Sequence, residues 1–139
     1  MRKIIFAFGI VLLSLSYACS DTNGEDSLAA QKEEVVTDVT VQQFKELMEK
    51  EEGTLLDVRT PVEWAEGTIP DAIKINYHDA NFEAQVEKLD KEKPVFVYCK
   101  RGGRSASAAE ILEEKGFNKV YNLDGGISAW NEEGFETSK

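Results

Sequence analysis

Residues 94–105 read Pro94-Val95-Phe96-Val97-Tyr98-Cys99-Lys100-Arg101-Gly102-Gly103-Arg104-Ser105. Val95 to Tyr98 is an unbroken apolar run. A half-exposed strand would alternate, so this run marks a strand covered on both faces, as in a parallel sheet. After the short glycine-rich turn the spacing predicts a helix over Ser105–Lys115, with Ala106, Ala109, Ile111 and Leu112 for packing and Gly116 as its stop. Strand, tight turn and helix form the unit from which α/β domains are built. In such domains ligands sit beyond the carboxyl ends of the strands.

The rest of the chain repeats the alternation on either side of this unit. Thr40 caps a helix through Lys50, with Val41, Phe44, Leu47 and Met48 at helical spacing and Gly53 as its stop. Thr54–Val58 reads as a short buried strand. Thr60-Pro61-Val62-Glu63 then carries a capping box with proline at the first helical position, opening a brief helix that ends at Gly67. Ile73–Ile75 reads as a small strand, Phe82–Leu89 as a helix, Lys119–Asn122 as a strand and Ile127–Trp130 as the opening of a last helix. The expectation is one α/β domain over residues 35–139, with a parallel sheet and helices on both faces.

Composition narrows the chemistry. The chain has 139 residues, 42% hydrophobic and 30% charged, enough for one domain with a core. Sixteen Lys and Arg stand against 26 Asp and Glu, for a net charge of -10. Such a chain has no means of neutralising a run of phosphates, so nucleic acid is not an expected partner. Two cysteines and one histidine are too few for a disulfide framework or a structural zinc site. No metal or organic cofactor is expected.

The chemistry therefore concentrates at Cys99. A glycine-rich turn between strand and helix gathers backbone N–H groups into a concavity for anions, and the helix that follows adds the positive end of its dipole. Lys100, Arg101 and Arg104 add formal charge. Each of these favours thiolate over thiol, and cysteines so placed have pKa values of roughly 3.5–7.5. The same groups, with Gly102, Gly103 and Ser105, would hold an anionic substrate beside the sulfur. Plainer roles stand beside these. Cys99 could be a small buried hydrophobe, Arg104 a loop brace, and Lys100 and Arg101 solvated charges. Asp57 and Arg59 read as a charged pair buttressing the fold, and Trp64 and Trp130 as packing. A Cys–His hydrolase would have to use His78, the single histidine, which lies in a polar turn and is expected to be exposed.

These motifs together resemble the rhodanese family of single-domain sulfurtransferases. Cys99 to Ser105 is similar to the family's Cys-x-x-Gly-x-Arg-Ser loop, and Asp57-Val58-Arg59 to its Asp-Val-Arg strand end, with Glu63 and Trp64 at the acidic and aromatic positions that follow. Glu66 to Ala72 resembles Gly-His-Ile-Pro-Gly-Ala, with Thr68 for the usual His and Asp71 for the usual Gly. Leu123-Asp124-Gly125-Gly126-Ile127 through Trp130 resembles the closing Gly-Gly-x-x-x-Trp. The resemblance implies a five-stranded parallel sheet, although the residue patterns above mark only four strands. It also implies transfer of sulfane sulfur from a small anionic donor to cyanide or a thiol through a Cys99 persulfide, with no cofactor. Phosphatases of the same fold carry a longer Cys-x5-Arg loop; here Cys99 and Arg104 make Cys-x4-Arg, a tighter cradle suited to one sulfur atom. The alternative from outside enzymology is a sulfur carrier or thiol-redox partner of another exported protein. A monomer is expected.

The amino terminus reads as an address. Arg2 and Lys3 precede an apolar run from Ile4 to Leu15, then Ser16, Tyr17, Ala18 and Cys19. A basic start, a short apolar stretch and small residues mark a secretory signal peptide over residues 1–18. The cysteine that follows makes it resemble a bacterial lipoprotein signal, with Cys19 as the lipidated first residue, though Ser16 and Tyr17 depart from that pattern. Residues 19–34, rich in Asp, Glu, Ser, Asn and Gly, read as a flexible acidic tether. The expected location is the bacterial cell envelope, lipid-anchored to a membrane and facing periplasm or cell surface. That leaves Cys99 as the free thiol.

Overall fold

The computed structural model describes residues 33–139. The leader, Cys19 and the tether up to residue 32 lie outside the described residues. Five strands alternate with five helices: β1 (Val36–Val39), α1 (Val41–Lys50), β2 (Thr54–Asp57), α2 (Pro61–Ala65), β3 (Ile73–Lys74), α3 (Phe82–Val86), β4 (Val95–Tyr98), α4 (Gly103–Glu114), β5 (Val120–Leu123) and α5 (Gly126–Glu132). The strands form one parallel sheet in the order β1-β5-β4-β2-β3. The fold is thus α/β, with the five-stranded parallel sheet that was expected. The strand not marked by residue pattern is β1, an edge strand in which only Val39 is buried.

The unbroken apolar run of β4 has its explanation in the two cores. Val95 and Val97 join Leu56, Val58 and Val120 against Phe82 and Val86 of α3 and Ala108, Ala109 and Leu112 of α4. Phe96 and Tyr98 point the other way, with Leu55 and Leu123, against Val41 and Phe44 of α1 and Ile127 and Trp130 of α5. A central strand between two helical layers has no solvent face, so it has no place for a polar alternate.

Local chemistry sets the helix starts. Thr40 and Thr60 each close a full capping box, with Gln43 and Glu63 respectively, and Pro61 stands at the start of α2. α1 ends at Lys50, as expected, but Gly53 is not its stop: a Cβ there would lie 2.5 Å from the Pro94 carbonyl oxygen, so the glycine lets β2 begin hard against the strand beside it. α4 begins at Gly103, not Ser105, which draws Gly103 and Arg104 into its first turn. α3 stops at Val86, short of Leu89.

At Asp71, where the resembling motif has glycine, the backbone is left-handed (φ 68°). Asp is among the few side chains that tolerate that conformation.

Chain order places the site. From β2 the chain moves outward to β3, while from β4 it moves the opposite way to β5. β2 and β4 are neighbours, so the loops leaving their carboxyl ends diverge and open a crevice between them. Arg59 follows one strand and Cys99 the other.

Candidate active site

Cys99 sits at the end of β4 with 2% of its surface exposed. Its sulfur accepts a hydrogen bond from the Gly102 amide at 3.1 Å. Gly102 itself is left-handed (φ 102°), a conformation glycine adopts freely, and there the chain turns into α4. The Ser105 hydroxyl lies 3.4 Å from Sγ and 3.1 Å from the Gly102 carbonyl oxygen, poised to donate to either. Burial by itself pushes the Cys99 thiol up. The Ser105 hydroxyl and the amides of Ser105, Gly102 and Arg101 outweigh burial and hold the thiol below the ordinary cysteine value.

Fixed amides and one hydroxyl lead in lowering the thiol pKa, and the Arg104 guanidinium adds an electrostatic attraction to the sulfur. Lys100 and Arg101 are exposed, where water screens them. Arg104 is held in a bidentate pair by Glu63 of α2, at 2.8 Å and 2.6 Å. Its charge is largely met by that carboxylate, so Arg104 ties α4 to α2, in place of bracing loop carbonyls, and also stands on the rim. Ser105, expected at the substrate, is fully buried beneath the sulfur.

An open basin of about 410 Å³ lies over the thiol, lined by Cys99, Lys100, Arg101, Gly103 and Arg104. Of the expected site residues, these five face it. Gly102 and Ser105 act from behind.

Asp57 and Arg59 form a buried pair, with Arg59 Nη2 2.8 Å from Asp57 Oδ2. Arg59 also donates to the Glu63 and Gly67 carbonyl oxygens, at 3.2 Å and 2.7 Å. A single guanidinium thus ties the end of β2 to the middle of α2, the helix that carries Glu63, and to the turn that follows it. Tyr98 lies beside it, its hydroxyl accepting from the Ile69 amide at 3.0 Å. Burial and then the Asp57 carboxylate push the phenol far above its usual range, so it stays neutral. Asp57 and Arg59 do not line the basin. They reach the site through Glu63 and Arg104.

His78 is exposed, its amide on Asn76 Oδ1 and its ring against Tyr77 at 5.6 Å, and it does not line the basin. Trp130 is buried and donates to the Glu136 carbonyl oxygen at 3.0 Å, while the indole N–H of half-buried Trp64 has no partner. Among the described residues no three His, Cys, Asp or Glu side chains are grouped to hold a metal ion.

Residue reasoning passed over two contributors. The sequence marks Glu63 as the capping-box partner of Thr60 but not as the partner of Arg104, which is distant in the chain. The second is the start of α5, where the Ile127 amide donates to the Cys99 carbonyl oxygen at 2.9 Å and the Ser128 amide to that of Lys100 at 3.1 Å. The Gly125-Gly126 pair was the signal available for it.

Residues 40–133 match the profile of the rhodanese-like domain. A sulfurtransferase of Allochromatium vinosum is 39% identical over 88 residues, which cover 63% of this chain and 80% of that protein. The thiosulfate sulfurtransferase GlpE of Coxiella burnetii is 41% identical over 85 residues, 61% of this chain and 78% of its own. Among solved structures, a rhodanese-related protein from Thermoplasma volcanium superposes with a TM-score of 0.64 at 33% identity, over 73% of this chain and 96% of its own. A rhodanese-like domain protein from Staphylococcus aureus does so with 0.63 at 31%, over 74% and 99%.

Proposed function

The chain belongs to the rhodanese-like family, and on that premise we propose that it is a sulfurtransferase that carries sulfane sulfur on Cys99. The observation that carries the reading is the Cys99 sulfur under the Gly102 amide at the floor of a basin rimmed by Lys100 and Arg101. The Cys99 thiolate attacks the outer sulfur of an anionic donor such as thiosulfate. A new S–S bond forms on Cys99, the donor's S–S bond breaks, and its electron pair leaves with sulfite. The outer sulfur of the resulting persulfide is then taken by cyanide as thiocyanate, or by a thiolate as a new persulfide, which returns Cys99 to thiolate. This is covalent catalysis, with amides set around an anionic sulfur in place of an oxyanion. The names of the relatives from Allochromatium vinosum and Coxiella burnetii support the class of reaction.

The test is thiocyanate release from thiosulfate and cyanide by the full chain. Turnover that Cys99→Ala abolishes is expected. Turnover that survives Cys99→Ala overturns the reading. Absence of turnover together with a mass gain of one sulfur atom on Cys99 would instead indicate a carrier.

We also propose that the protein is exported and held to a bacterial membrane by lipid on Cys19, on the strength of the leader sequence. Cys19→Ser should move it from the membrane to the soluble fraction. Continued membrane association of that variant would sink the lipid anchor.

A further inference from the structure

The amides that face Cys99 do so because the peptide planes of the loop are turned a particular way, and the turning groups lie outside the loop. A trans peptide points its C=O and its N–H in opposite directions. The Lys100 carbonyl oxygen accepts from the Ser128 amide at 3.1 Å, so the N–H of the same peptide unit, that of Arg101, is directed away from α5 and towards the sulfur. The Cys99 carbonyl oxygen, bonded to the Ile127 amide at 2.9 Å, is turned back in the same sense. Close approach makes both bonds possible. A Cβ on Gly126 would lie 2.5 Å from the Cys99 carbonyl oxygen and 2.6 Å from the Lys100 carbonyl carbon and oxygen. Gly126 also has φ 58°, so the helix can open against the loop only with glycine there.

We propose that the Ser128 backbone amide is a positioning group for the sulfur cradle: by holding the Lys100 carbonyl it turns the Lys100–Arg101 peptide so that the Arg101 amide faces Cys99. Released, that peptide is free to rotate and to set its carbonyl oxygen, a negative dipole end, towards the sulfur. The inference rests on the reading of Cys99 as the working thiol. The state of that thiol then depends on a residue far along the chain, in another element.

Ser128 is half-buried and stands in the first turn of α5, where the helix itself makes no use of the N–H. Ser128→Pro removes the donor and puts its ring carbon where the N–H pointed, against the Lys100 carbonyl oxygen, so that this carbonyl must turn away, while Ser128→Ala keeps the donor. The charged groups around Cys99 are unaltered in both: Lys100 and Arg101 in the loop, Arg104 of α4, and Glu63 of α2 behind it. The measurement is the pH dependence of iodoacetamide alkylation at Cys99, read by peptide mass spectrometry. Ser128→Pro should raise the midpoint by about one pH unit, a tenfold loss of thiolate at pH values below it. Ser128→Ala should leave the midpoint where it is. A folded Ser128→Pro with the parent midpoint overturns the proposal, as does a Ser128→Ala midpoint that rises equally. An amide-to-ester replacement at Ser128, which removes the same N–H without a ring, must reproduce the rise, and it decides the matter if the proline variant does not fold. Alkylation needs no sulfur donor, so a failure of thiosulfate turnover would sink the sulfurtransferase reading and leave this result intact.

Discussion

Glu63 is the residue through which the buried frame reaches the rim of the basin. It accepts from both Arg104 nitrogens and from the Thr60 amide and hydroxyl, and its carboxyl is held down to about 2, by Arg104 first and by Thr60. A carboxylate depressed in the folded state stabilises the fold fully above its unfolded value, near 4.5. That contribution fades as pH falls through the folded value near 2. With its side chain 16% exposed, the contribution is about 1–2 kcal/mol. Glu63→Gln should therefore lower the urea midpoint at neutral pH, and the gap to the parent protein should close between pH 4.5 and 2. A gap that is constant across that window would show that the ion pair is not its source. The pairing joins α2 to α4 across a span of 41 residues. Nothing local to Glu63 or Arg104 announces it, and for that reason the spare charge assigned to Arg104 on sequence grounds is smaller in the folded molecule.

At the scale of elements, the capping boxes of Thr40 and Thr60 and the apolar run of β4 were legible because each is written within a few residues. Gly53 was not. Its position after α1 suggested a helix stop, yet its φ is not in the left-handed region and its backbone abuts the start of β4. The two roles differ in a measurable way. A helix stop would accept Asn with little loss. Against Pro94 and Phe96, both Gly53→Asn and Gly53→Ala should lower stability by about 1–3 kcal/mol, read as a drop in thermal or urea midpoint. Near-parent stability of Gly53→Asn would restore the helix-stop role. β1 escaped notice for the converse reason. An edge strand of four residues with one buried side chain carries almost no pattern, and its place is set by pairing with β5.

For the whole molecule, an acidic chain with a net charge of -10 presents two exposed cations, Lys100 and Arg101, beside its buried thiol. The sheet order delivers that thiol to the divergence between β2 and β4, and the same crevice brings Asp57 and Arg59 behind it. The sequence by itself determined the α/β class, the strand-loop-helix unit and the place of Cys99 at the end of its strand, since these follow from periodicity and from residues adjacent in the chain. Only the tertiary structure decided which groups act on the sulfur. It turned Ser105 inward, met Arg104 with Glu63, and set the Ile127 and Ser128 amides on the loop's carbonyls. The physical reason is that hydrogen bonds act over about 3 Å and the orientation of a peptide plane is set by whatever lies across from it. Residues far apart in sequence meet at that distance only when the sheet has brought their elements together.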